Sequence, residues 1–146
     1  MVSDPSDVDA AILAVLRNDA QLAALMPDGV YFDVAPPGRT KYVVVSMEFH
    51  EDFYSFDGPA LERTIYLVKA IERDIDGADV KAAAARVHDL LQGQPLTIPG
   101  YVHSLTSRTG RARDTERDEV DTSALWQHRG GHYEVLVAPV AAIATA

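Results

Sequence analysis

Cysteine is absent from this 146-residue chain. That excludes disulfides, thiolate-bound metals, iron–sulfur clusters and a cysteine nucleophile. No apolar run approaches the roughly 20 residues that cross a bilayer as a helix, so no membrane partner is expected. The opening Met1-Val2-Ser3-Asp4-Pro5 has no basic segment ahead of an apolar one, and no signal peptide is expected from it. Positive charge is scarce: 13 lysines and arginines face 22 aspartates and glutamates, a net charge of −9. Such a balance speaks against a broad basic face for nucleic acid. A Walker A loop, GxGxxG, GxSxG and HExxH are all missing.

What is present suits one folded unit over 1–146. Hydrophobic residues make up 47% and charged residues 24%, near the globular average. A chain this long buries roughly 68–70% of its unfolded surface, enough for a core without staples. The charge imbalance is local. Residues 1–60 carry ten acids against three bases, whereas 61–107 and 108–146 each carry six against five. An acidic surface of this kind solubilises, and it also repels DNA and acidic partners.

Periodicity places the elements. Val8, Ala11, Ile12 and Val15 share a helix face behind a Ser6/Asp9 capping pattern. Asn18-Asp19 breaks that helix, and Asp19 can cap a second turn carrying Leu22, Leu25 and Met26. Val30–Phe32 and Tyr42–Phe49 read as strands, the latter with three consecutive β-branched residues. Glu51-Asp52 reads as a polar break. Asp57-Gly58 signals a hairpin, with Pro59 favouring a longer loop. Leu61–Ile71 is apolar on both faces, as expected in mid-sheet: Leu61, Ile65, Leu67 and Ile71 form one row with Arg63 and Lys69, and Tyr66, Val68 and Ala70 form the other. A second helix begins near Asp76 and buries Val80, Ala83, Ala84, Val87, Leu90 and Leu91, with Gly93 to end it. A weak strand from Tyr101 to about Ser107, a polar loop or arm over 109–124, and a closing strand His132–Ala138 complete the chain. Flexible residues are expected at the N-terminus and after Pro139. The order gives an α+β, two-layer domain: a mainly antiparallel sheet of about four or five strands with two principal helices packed against it.

Candidate sites are few. His128 and His132 are four apart, but Gly130-Gly131 between them disfavours the helix that zinc ligation at that spacing needs; those glycines suit a tight turn or bulge. His50 with Glu51 and Asp52 is an acid–histidine cluster that reads equally as a solvated turn. With no ligand set singled out, neither a catalytic residue, a metal nor a cofactor is expected. Phe49, Phe53, Tyr54 and Phe56 crowd eight residues; they either plug a sheet edge or dock on another subunit. Arg108, Arg111, Arg113 and Arg117 alternate with acids, either as a solvated loop or as an arm ordered against a neighbouring chain.

The order of these features resembles the tail completion, or tail terminator, proteins of long-tailed bacteriophages and gene-transfer particles. The resemblance spans about residues 8 to 138. It rests on the N-terminal helix, the Gly29–Gly38 segment, the strand Tyr42–Val45, the strand containing Ile65–Val68, the helix ending Asp89-Leu90-Leu91, and the stretch Trp126-Gln127-His128-Arg129-Gly130-Gly131-His132. The segment between Ser107 and Leu125 is longer than the pattern. The resemblance implies a structural virion protein rather than an enzyme. It implies a homo-oligomeric ring, commonly a hexamer, that caps the head-proximal end of a tail tube in the neck of the virion after assembly in the host cytoplasm. Its partners would be copies of itself, the tail tube protein and the head connector or stopper, with DNA passing through without specific binding. The aromatic cluster, the four arginines, and Trp126, His128 and Arg129 are then the interface candidates. A head-side connector subunit, or a small enzyme or ligand-binding domain using His50, His128 or His132, is the alternative.

Overall fold

The computed structural model describes residues 3–56, 58–74 and 76–140. Helix α1 runs Pro5–Arg17. Its cap is Asp4 rather than Ser6: Oδ1 of Asp4 accepts from the Ser6 backbone N–H at 2.9 Å, and Pro5, which lacks an N–H, occupies the first helical position. Helix α2, Ala20–Leu25, is capped by Asp19, whose Oδ2 accepts from Leu22 N–H at 2.8 Å. The expected break at Asn18-Asp19 is therefore a change of helix. Strand β1 (Val30–Phe32) leads to β2 (Lys41–Ser55) and β3 (Gly58–Arg73). Helix α3 (Ala78–Leu91) precedes β4 (Tyr101–Arg117) and β5 (Leu125–Pro139).

The five strands form one sheet in the order β1-β2-β3-β5-β4, antiparallel except for the β1/β2 pair. β3 lies in the middle, as its two apolar rows require. One row from each central strand joins the helices in a single core. Val43 and Val45, then Tyr66, Val68 and Ala70, then Tyr133, Val135 and Val137 pack with Val8, Ile12 and Leu16 of α1, Leu22 of α2, and Val80, Ala83, Val87 and Leu91 of α3. The forked Arg86–Asp19 contact, 2.9 and 2.7 Å, ties α3 to the α2 cap.

The closing strand begins at Leu125, seven residues ahead of the expected His132, and the structure departs from the sequence expectations in four other places. The segment 109–117 is strand, not loop. β4 continues to Arg117, and the turn to β5 is confined to 118–124. Most residues of this half of β4 are exposed, so it shows no apolar alternation to read. Second, the polar pair Glu51-Asp52 does not break β2, because both residues hold register with Arg63 and Glu62. Third, the β2–β3 turn is tight, since Ser55 pairs with Gly58; Asp57 lies outside the described residues, as do 1–2 and the tail 141–146. Fourth, Gly130-Gly131 sits inside β5, opposite Lys69 and Val68. The glycines admit neighbouring strands rather than making a turn: a Cβ on Gly130 would lie 1.9 Å from the Val68 carbonyl oxygen.

Candidate subunit interface

Strand lengths decide what is left free. β1 pairs only with Val43–Val45, so from Ser46 to Tyr54 the outer edge of β2 has no strand partner among the described residues. On the far side of the sheet β4 is outermost; Gly93 N–H donates to the Thr106 carbonyl and Gln92 Oε1 accepts from Arg108 N–H, and beyond Arg108 the outer edge has no strand partner among the described residues. Unpaired edges offer backbone N–H and C=O groups to another chain. The two long hairpins project in opposite directions. Arg73 at the end of β3 is opposite Trp126, next to the 118–124 turn, whereas the other turn lies at the opposite end of β3.

The β2–β3 hairpin carries the aromatic cluster. Phe56 at its tip is fully exposed and Tyr54 is 71% exposed; Phe49 and Phe53 are less than half exposed on the side of the sheet away from the helices. Arg63 holds that surface together. Its guanidinium lies 5.6 Å from the Phe49 ring centroid, 3.3 Å from Glu134 and 3.5 Å from Glu51. The cluster is therefore part of a partly covered outer face, with an aromatic tip beyond it. Its acids are Glu48, Glu51 and Asp52, with no lysine or arginine from Ser46 to Ser55.

β4 carries the arginines. Register puts Arg108 opposite Tyr133, Arg111 opposite Gly131 and Arg113 opposite Arg129, all on the helix side of the sheet. A register shift between Arg108 and Gly110 brings an even-numbered and two odd-numbered residues onto one side. Together with Lys81, His88 and Asp89 of α3, they line a groove of about 600 Å³. Positive charge dominates it. Burial first, then neighbouring Arg113, lowers the pKa of Arg129, and a buried Arg129 Nη1 has no hydrogen-bond partner. Burial and Arg108 likewise depress His88, whose Nδ1 lies 3.2 Å from the Tyr133 hydroxyl. Such a groove suits a carboxylate-bearing surface.

The remaining candidates lie apart. Arg117 is bound into the turn, with Nη1 donating to the Thr122 carbonyl. Trp126 Nε1 donates to Asp118 at 2.9 Å on the other side of that turn. His128 is buried on the outer side, its pKa lowered by burial and by Lys69. Sequence reading missed Lys81 and His88 as partners of the arginines. It also missed Val120, which is 96% exposed at the second tip; an apolar residue inside a run of charges was the available signal.

A family model described as Tail completion protein gp17 matches residues 10–128. The chain belongs to the tail completion protein gp17 family. Membership gives this tail completion protein a structural role in a phage-type tail. A solved structure described as the virion of a native gene transfer agent (GTA) particle is similar over 90% of this chain and 94% of its own, at 26% identity and a TM-score of 0.69. A second solved structure shares the fold, with 15% identity and a TM-score of 0.54 over 92% and 96% of the two chains. No curated protein matches. No helix among the described residues is long and apolar enough to cross a membrane.

Proposed function

We propose that this tail completion protein assembles as a closed ring, most simply of six copies, on the head-proximal end of a tail tube in the virion neck. There it ends tube growth and joins the tube to the head connector. In this reading the fold is two-layered, with helices on one face of the sheet and the other face turned toward copies or toward the tube.

The observation that carries the proposal is the opposition of two unlike free edges. The edge of β2 is acidic and aromatic, and the edge of β4 is basic, with Arg108, Arg111 and Arg113 on one side of it. A ring needs a heterologous contact, in which one patch meets a different patch on the next copy and the rotation closes. Complementary charge orients that encounter, and paired backbone edges with apolar anchors then hold it. The acid excess left over faces the opening, where it keeps DNA sliding rather than bound. Each contact is small, so a tube end that gathers the copies raises their effective concentration.

The test is light scattering of the purified protein alone and with isolated tail tubes. A closed oligomer of defined number, alone or on tube ends, supports the proposal. A monomer that never associates with itself or with tube ends opposes it.

A further inference from the structure

We propose a divalent transition-metal site at the base of the β2–β3 hairpin, formed by His50, Asp52 and Glu62. One ligand atom from each of these three residues lies within 4.8 Å of the others. His50 Nε2 is 2.8 Å from Asp52 Oδ1 and 3.8 Å from Glu62 Oε1.

Two further observations point to a cation rather than to a chance cluster. Glu62 is 8% exposed, and its buried Oε2 has no hydrogen-bond partner. A buried carboxylate oxygen left unpaired is costly, and a cation satisfies it. In addition, Asp52 and Glu62 are directly opposed across the antiparallel pair. Like charges in that position destabilise a sheet, and the ion pairs of both carboxylates go to the same imidazole. A divalent ion between them turns a repulsive pair into a ligand set.

The other ring nitrogen of His50 has a partner in place. For Nε2 to bind a metal, the ring proton must sit on Nδ1 and find an acceptor there. Thr64 Oγ1, on a residue only 4% exposed, lies 3.0 Å from Nδ1. The Tyr101 hydroxyl is buried beside the Glu62 carboxylate. One imidazole nitrogen and two carboxylates, with water completing the shell, suit zinc or manganese better than magnesium. The ion would stitch β2 to β3 immediately before Phe53, fixing the direction of the aromatic tip.

The test is calorimetric titration of the chelator-treated full chain with zinc chloride, together with thermal melts. One zinc per chain and a raised melting temperature are expected. Glu62→Gln and His50→Ala should each weaken binding at least tenfold, Thr64→Val should weaken it about tenfold, and His132→Ala should leave it unchanged. Metal-free melts identify any variant that fails to fold, and Asp52→Asn, at a half-exposed residue, provides an independent ligand deletion. No saturable binding, or binding unaltered by all three ligand substitutions, would overturn the site. Because the readout is binding by the isolated chain, its failure leaves the ring proposal standing, and failure of the ring leaves the site standing.

Discussion

Gly130 and Val68 approach so closely that no side chain fits between them: a Cβ on Gly130 would lie 1.9 Å from the Val68 carbonyl oxygen and 2.8 Å from the Lys69 Cα. Both obstructing groups are backbone in the central strand, so relief requires moving β3 or β5. Gly130→Ala should destabilise the protein by ~3 kcal/mol, the upper end for overpacking, read as a lower midpoint in urea. Gly110→Ala is the control. Its Cβ would meet only His132, at 3.9 Å, and the midpoint should barely move.

Asp19 joins two helices, capping α2 while receiving the Arg86 fork from α3. Its pKa is lowered, first by the Arg86 hydrogen bonds and then further by the Leu22 N–H, against burial. A carboxyl whose folded pKa lies below its unfolded value contributes stability above the unfolded value, near pH 4, and that contribution is lost as pH falls through the folded value. Asp28, lowered by the Thr40 and Lys41 backbone N–H groups, acts in the same direction. Melting temperature should therefore fall on acidification below about pH 4. Asp19→Ala should cost ~1 kcal/mol at neutral pH through the lost cap and should flatten part of the acid dependence.

The aromatic tip separates folding from assembly. Phe56 touches little of its own subunit, so Phe56→Ser should change unfolding free energy by less than ~0.5 kcal/mol. In the ring reading it should still reduce the yield of tubes bearing the protein, measured by co-sedimentation with tail tubes. Unchanged loading would remove the tip from the interface.

Charge reversal tests which edges meet. Arg111→Glu with Arg113→Glu should block association, and adding Glu48→Lys with Glu51→Lys should restore it in part. Association of the wild-type protein should also weaken as salt is raised, since exposed charges are screened beyond about 8 Å at physiological ionic strength. Light scattering across a salt series reads both. Loss without any rescue would separate the arginines from the acidic edge.

Much of this was legible in the sequence where a residue's environment is one-sided. Val80, Ala83, Val87 and Leu91 face only the core, so the period of α3 is clear. Asp19 announces its helix because capping is local chemistry. β3 declares itself central because Leu67 and Val68 are both apolar on opposite faces. The distal half of β4 is the counter-example. Arg111, Arg113 and Glu116 are all exposed, so alternation carries no hydrophobic contrast, and pairing with β5 makes the segment a strand. For the same reason the arginines could be picked out individually but not placed in one groove with Lys81 and His88. That neighbourhood depends on a bulge and on where α3 packs. His50 and Asp52 were visible together, but Glu62 joins them only through the β2–β3 register.

The central claim is that this protein finishes a tail by self-adhesion, and electron microscopy of particles produced without it tests that most directly. Overlong tails, or finished tails lying apart from filled heads, are the predicted result. Particles of normal tail length, joined and infectious, would contradict it.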